Sequence, residues 1–316
     1  GAGDEVIVSP RSFVASAACV VTVGATPIFA DVDPVSGNIS AATVAPHVGP
    51  RTRAILPVHL GGWPCDMPEL MALAEDHGLL VVEDCAQSHG ALVDGRPAGA
   101  FGNAAAFSFC QDKIISTGGE GGMVLLRDEE AFRRAWSYKD HGKDYDLMRR
   151  PPERPGFRYV HASIGTNWRM LELQAAIGLV QLGKLEGWVA ARSARARIWR
   201  SALSGLDGVT VAAPGNRFRH AYYKLYARLD PSRLRPGKSR DGVLAALLAG
   251  GVRAFSGSCS EIYREAAFQV AAVPTRPNAA ALGASSLMFE VHPTLDAVRL
   301  TATAARAAGI IADFLR

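Results

Sequence analysis

From Val6 to Leu126 short β-branched runs alternate with helical periods, and this alternation limits the possible folds more than any other feature. Strands are expected at residues 5–9, 27–32, 53–58, 79–83, 104–109 and 122–127, with helices at 13–23, 41–47 and 67–77. Asp66 is placed to N-cap the third helix and Gly78 to end it. A βαβα order of this kind argues for a mostly parallel sheet with helices on both faces. In such open sheets the ligand crevice lies beyond the carboxyl ends of the strands. Ionisable residues just past a strand are therefore the first place to look for chemistry.

Two such residues stand out. Asp84 follows Gly78-Leu79-Leu80-Val81-Val82, and Lys113 follows Ala104-Ala105-Ala106-Phe107. A carboxylate and a lysine meeting at one sheet edge suit pyridoxal phosphate, whose aldehyde takes an amine and whose ring nitrogen takes an acid partner. Each residue also has a plainer reading: Asp84 as the cap of a turn, Lys113 as a solvated surface lysine. Gly118-Gly119-Glu120-Gly121-Gly122 allows sharp turning and close backbone approach to a ligand. No Gly-Lys-Ser/Thr follows it and no G-x-G-x-x-G opens a helix, which disfavours P-loop and nicotinamide readings. Ser108 offers a hydroxyl to a phosphate or to its own backbone, and Phe13 offers a ring to a planar cofactor or to the core.

Beyond this region, residues 142–155 hold Pro151, Pro152 and Pro155 and read as a loop, and residues 169–203 read as one long helix. Pro214 marks a boundary between a large domain, 1–213, and a smaller C-terminal α+β domain, 214–316. Strands are expected there at 220–229, 252–255 and 287–291, with helices at Arg240–Ala249 and 294–315. Residues 266–284 read as loop and short helix.

Several function classes are disfavoured. The net charge of +4 comes from 34 basic and 30 acidic residues with no long basic block, so a nucleic-acid partner is not expected. Five cysteines without C-x-x-C spacing disfavour a disulfide framework or structural zinc and fit a reducing cytoplasm. No apolar run reaches membrane-spanning length, and no signal peptide is visible. The histidines are scattered, so no metal site is expected.

The ordered set of motifs resembles the DegT/DnrJ/EryC1/StrS family, pyridoxal-phosphate-dependent sugar aminotransferases of the aspartate-aminotransferase fold. It comprises Gly3-Asp4-Glu5-Val6-Ile7-Val8, Ser12-Phe13-Val14-Ala15-Ser16, Asp31-Val32-Asp33 and Pro57-Val58-His59-Leu60-Gly61-Gly62. It continues with Glu83-Asp84-Cys85-Ala86-Gln87-Ser88-His89-Gly90, Phe107-Ser108-Phe109, Gly119-Glu120-Gly121-Gly122, His141-Gly142 and Gly165-Thr166-Asn167-Trp168-Arg169-Met170. The resemblance implies fold type I, with a mostly parallel seven-stranded-type sheet in the large domain.

It also implies roles. Lys113 would bind the cofactor covalently and shuttle protons, Asp84 would hold the pyridine nitrogen, and Gln87 would bond the ring's phenolic oxygen. Phe13 would stack on the ring, Ser108 would contact the phosphate, and Asn167 would reach the phosphate in the neighbouring subunit, giving a homodimer with shared active sites. The implied reaction moves an amino group, commonly from glutamate, to a nucleotide-linked keto sugar of surface-polysaccharide or natural-product biosynthesis. Lysine at position 113 favours transamination over the dehydratase chemistry of relatives with histidine there. A non-catalytic scaffold that keeps the fold is the alternative from another class. The segment 255–263 is expected to line the sugar end of the pocket. The resemblance also implies a segment ahead of Gly3 with a phosphate-binding Gly-Thr-Ala or Gly-Ser-Ala turn, which the sequence from Gly1 onward does not include.

Overall fold

The computed structural model describes residues 1–152, 154–268 and 273–316. The first half follows the expected alternation: β1 (Glu5–Val8), α1 (Ala15–Thr22), β2 (Thr26–Phe29), α2 (Ala41–Val44), β3 (Thr52–Leu56), α3 (Met67–Asp76) and β4 (Leu80–Asp84). A small ribbon, β5 (Leu92–Val93) and β6 (Arg96–Pro97), precedes β7 (Ala104–Ser108) and β8 (Gly122–Leu126). The main sheet runs in the order β2-β1-β3-β4-β7-β8. All its pairs are parallel except β7 with β8.

The strand sequences explain why both faces are covered. Successive residues point to opposite faces of a strand. Ile7, Ile55 and Val81 pack with Met67, Leu70 and Ala74 of α3. Their neighbours Val8 and Leu56 pack with Ala17 and Val20 of α1. The sheet has six strands among the described residues where a seven-stranded type was expected. β8 is the terminal strand, and its Met123, Val124 and Leu125 are exposed.

Helices α4 (Glu129–Tyr138) and α5 (Tyr145–Arg149) come next. The second lies in a stretch read as loop. Asp144 accounts for it, since its side chain accepts from the N–H groups of Asp146 and Leu147 as an N-cap. The single helix expected at 169–203 is two, α6 (Glu172–Leu182) and α7 (Leu185–Leu203), parted at Gly183-Lys184. Their surroundings differ: no residue of α6 is buried, whereas Ala196, Trp199 and Leu203 of α7 enter the core of the C-terminal sheet.

That sheet contains β9 (Val209–Thr210), while β10 (Phe218–Arg219) pairs with β5 instead. β11 (Leu225–Leu229), α8 (Arg240–Ala249), β12 (Ala254–Phe255), α9 (Pro277–Ser285), β13 (Ser286–Phe289) and α10 (Ala297–Ala312) complete the chain. The antiparallel order is β12-β13-β11-β9, and Trp199 stacks on Phe289 with ring centroids 4.2 Å apart. The strand expected at 220–229 starts only at Leu225, because Tyr222 takes a positive φ of 50° that breaks the extended run. In the 266–284 stretch, α9 and a short 3₁₀ turn at Ala266–Phe268 match the reading, and 269–272 lie outside the described residues. Asp66 does not cap α3; its carboxylate instead pairs with Arg217 at 2.9 Å. Among the described residues no helix is long and apolar enough to cross a membrane.

Candidate active site

β4 ends on Asp84, whose backbone is fixed from both neighbouring strands. Its N–H donates to Pro57 O at 2.8 Å, and the next N–H, of Cys85, donates to Ala106 O at 2.8 Å. The carboxylate accepts from Ser16 Oγ at 2.7 Å and from the Ala86 N–H at 3.1 Å. Ser16 lies 2.7 Å from Ser12 Oγ, so two hydroxyls one helical turn apart at the head of α1 brace the acid. Phe13, just ahead of α1, is 69% exposed and has no ring against it among the described residues. Gln87 is buried in the turn after β4, and its Oε1 accepts from the Gly61 N–H at 2.6 Å. That contact fixes the amide orientation and leaves Nε2 as the donor end.

Ser108 closes β7, the strand beside β4, in a register that sets Asp84 opposite Ala106. Its hydroxyl oxygen accepts from the Cys110 N–H at 3.3 Å. Lys113 sits in the loop that follows, with its side chain 17% exposed and Nζ 3.2 Å from Asp112. Nζ also lies 5.1 Å from the centre of the Tyr223 ring, and the Tyr223 hydroxyl donates to Asp112. Burial works against the Asp112 charge, but the Tyr223 hydroxyl and the Lys113 ammonium outweigh it and hold the carboxyl below its usual range. Burial, reinforced by Asp112, pushes the Tyr223 phenol up. The lysine thus rests on a carboxylate that is itself held by the second half of the chain.

The loop has its own scaffold. Phe109 N–H donates to Gly121 O at 2.7 Å, and Gly118 and Gly119 turn with φ of +85° and +148°, conformations that glycine adopts without strain. Helix α6 clamps it from outside: Gln174 Nε2 donates to Glu120 O at 2.7 Å, and Gln181 Oε1 accepts from the Ser116 N–H at 2.9 Å. Asn167 belongs to a different group of residues. It bridges Asp140, and its Oδ1 accepts from Arg169 Nε at 3.0 Å.

Behind the site, His59, Glu83 and Cys85 come within 4.8 Å of one another, a group the scattered histidines did not reveal. The His59 and Glu83 atoms are already engaged. Cys65 N–H donates to His59 Nδ1 at 3.0 Å, so the proton of a neutral ring is on Nε2, 3.1 Å from Glu83. Glu83 also accepts from the N–H groups of Gly99, Phe101 and Gly102 at 2.7–2.8 Å. The arrangement anchors the loop ahead of β7.

His89 lies against Phe107 and Phe109, with ring centroids 5.4 and 5.8 Å away. Burial pushes its pKa down to about 4. A depressed histidine contributes stability that is fully present above its unfolded pKa and is lost as pH falls toward the folded value. From pH 7 to pH 5 the urea unfolding free energy should therefore fall by about 2 kcal/mol on account of His89. In His89→Gln that part of the pH dependence should vanish; an unchanged slope would contradict it.

Tyr263, expected near a sugar pocket, is buried. Its hydroxyl donates to Glu261 at 2.6 Å and accepts from the Arg276 N–H at 2.9 Å, while its ring meets Phe29 edge-on. The residues that sequence reasoning missed are Ser16, Asp112 and Tyr223. Ser12 and Ser16 at i, i+4 spacing were a usable signal, whereas Tyr223 stands 111 residues from Asp112 and gave none.

Residues 1–304 match the DegT/DnrJ/EryC1/StrS aminotransferase family. The chain is 38% identical over 252 residues to the UDP-N-acetyl-3-dehydro-alpha-D-glucosamine 3-aminotransferase of Acidithiobacillus ferrooxidans, covering 80% of this chain and 63% of that protein. It is also 38% identical over 253 residues to the GDP-perosamine synthase of Caulobacter vibrioides, covering 80% and 64%. The chain therefore spans a little under two thirds of the length of these curated relatives. A crystal structure of an aminotransferase from Psychrobacter cryohalolentis superposes with a TM-score of 0.96 at 45% identity, covering 99% of this chain and 82% of that one. With the strand-end acid, the loop lysine and the sheet order already in place, these matches show that the chain belongs to the DegT/DnrJ/EryC1/StrS aminotransferase family and has the fold type I architecture.

Proposed function

We propose that the protein is a pyridoxal-phosphate-dependent sugar aminotransferase that moves an amino group from a donor such as glutamate to a nucleotide-linked keto sugar in the cytoplasm. The observation that carries this reading is the pairing of a strand-end carboxylate, Asp84, with a part-buried amine, Lys113, beyond adjacent strands β4 and β7. The residues suit the cofactor: an acid braced by two donors, a free amide donor on Gln87, an exposed ring at Phe13 and a hydroxyl at Ser108. Bound pyridoxal phosphate would supply the electron-accepting ring that carries the amino group between the two substrates.

The chain's own groups divide the remaining work. Asp84 would hold the ring nitrogen and keep it protonated, with its carboxylate fixed by Ser16. Lys113 Nζ would be the point where the cofactor is held and the group that takes and returns a proton. Asp112 holds Nζ when the amine is free. Gln87 Nε2 would donate to the phenolic oxygen, and Ser108 would donate to the phosphate. Asn167, outside this group, serves the neighbouring subunit's site in a homodimer.

The test is an absorbance spectrum with added pyridoxal phosphate, before and after excess glutamate. A near-visible band that converts to a shorter wavelength is the expected result. No band at all would favour a non-catalytic scaffold, and a band indifferent to every amino donor would favour elimination chemistry. Asp84→Asn should still take up the cofactor but lose about 10³-fold or more in turnover, checked by steady-state kinetics.

A further inference from the structure

Away from Lys113, the structure buries a positive charge that no ion pair among the described residues neutralises. Arg11 follows β1 and is 3% exposed, yet it forms no ion pair among the described residues. Its backbone is held in place: Arg11 N–H donates to Ser9 Oγ at 3.1 Å, and Pro10 O accepts from the Ile262 N–H at 2.9 Å. Of the guanidinium, Nη2 donates to Ser286 Oγ at 3.0 Å, while the buried Nε has no partner. Nη1 lies against Gly37, where a side chain would crowd it in this position. The ring of Tyr226 lies 4.7 Å from the guanidinium carbon and offers a partial counterweight. A buried charge normally has a paired carboxylate, because desolvation is costly.

The guanidinium borders a cavity of about 30 Å³ between the turn at Leu60 and the C-terminal sheet. Arg228, His220, Tyr226 and Ser286 line it as well, and no carboxylate does. Arg228 donates to Pro34 O and forms no ion pair among the described residues. The nearby Asp33, outside the cavity lining, accepts on Oδ1 from the N–H groups of Val35 and Ser36 and from Ser36 Oγ, and its charge favours the Arg228 guanidinium without an ion pair between them. His220 accepts at Nδ1 from the Tyr222 N–H at 2.8 Å, so its neutral ring carries a proton on Nε2 and adds a donor. Donors and two cations thus surround a space that holds about two waters or one small ion.

We propose that this cavity is a binding site for a single small monoanion of carboxylate size, held between the guanidinium groups of Arg11 and Arg228. It is too small for a phosphorylated sugar. It is also separate from the lysine site, although Leu60 lines it and the next residue, Gly61, holds Gln87. An anion here would fasten the first half of the chain, through Arg11, to β11 and β13 through Arg228 and Ser286.

The test is thermal unfolding of the full chain against increasing sodium formate, and separately sodium chloride, with ionic strength kept constant by a bulky sulfonate salt. The expected result is a saturable rise in Tm on the order of a few degrees. Formate saturating at lower concentration than chloride would identify the occupant as a carboxylate; the reverse order would identify a halide. Arg228→Gln should weaken the apparent affinity about tenfold, as for the loss of one charge-assisted contact, and Arg11→Met should abolish the response. A non-saturating rise of equal slope in wild type and Arg228→Gln would mean an unspecific salt effect and overturn the site. So would an Arg11→Met chain whose Tm still rises saturably with either anion as in wild type. If Arg11→Met does not fold, the wild-type and Arg228→Gln titrations decide between these outcomes.

Discussion

Under the proposed function, Lys113→Ala is expected to lower amino transfer by at least about 10⁴-fold while the chain keeps its fold. The proposed chemistry runs through the side-chain nitrogen, first as the attachment point and then as the group that moves the proton. No other lysine is described in that loop. The fold should survive because the ion pair with Asp112 is part-exposed, Asp112 being 52% exposed, and such pairs contribute little. Lys113→Arg should lose as much, since it keeps the charge but not a nucleophilic amine. Steady-state rates with glutamate and a nucleotide-linked keto sugar read the first effect. The absorbance spectrum with added pyridoxal phosphate reads the second, and both variants should lack the near-visible band. Turnover within tenfold of wild type in either variant would remove Lys113 from the reaction.

The largest effect on stability is expected at Glu83. The residue is fully buried and accepts from His59 and three backbone N–H groups. Glu83→Ala leaves three buried donors and one part-buried donor without an acceptor, each buried one costing about 1–3 kcal/mol. The sum, about 4 kcal/mol or more, is a large share of the 5–15 kcal/mol typical of a folded protein. Urea unfolding should show a chain close to its folding threshold, and a loss below about 1 kcal/mol would refute the account. Glu83→Gln should fall between the two, because it turns an NH₂ toward a donor. Burial opposes the Glu83 charge, but the His59 and backbone donors outweigh it and hold its pKa below the ordinary value. The stability it contributes is therefore full above the ordinary carboxylate pKa and lost as pH falls below it, a dependence that Glu83→Gln should lack.

The sheet was legible because burial on both faces leaves near-continuous apolar runs such as Leu79-Leu80-Val81-Val82, bounded by glycine and charge. Asp84 and Lys113 were legible for the same reason: the strand that precedes each sets its place at the sheet edge. The break between α6 and α7 was not, because the helical period passes through Gly183 without interruption, and what parts the helices is their tertiary surroundings. Nor was the failed cap at Asp66, which Arg217 captures from 151 positions away. Asp112, Tyr223 and Arg11 owe their settings to contacts of 100 residues or more in separation, and no local pattern encodes such distances.

The terminal strand of the main sheet has a practical consequence for anyone handling the isolated chain. Among the described residues β8 pairs on one side only and carries Met123, Val124 and Leu125 in the open, and helix α6, which bonds Glu120 just ahead of β8, shows Leu173, Leu179, Val180 and Leu182 to solvent. A free ribbon of backbone donors and acceptors flanked by oily side chains is adhesive. A net charge of +4 spread over 316 residues is too dilute to keep such surfaces apart. Shelf life and the usable concentration range of the purified material will be governed by that rim of the sheet, whatever the strength of the interior.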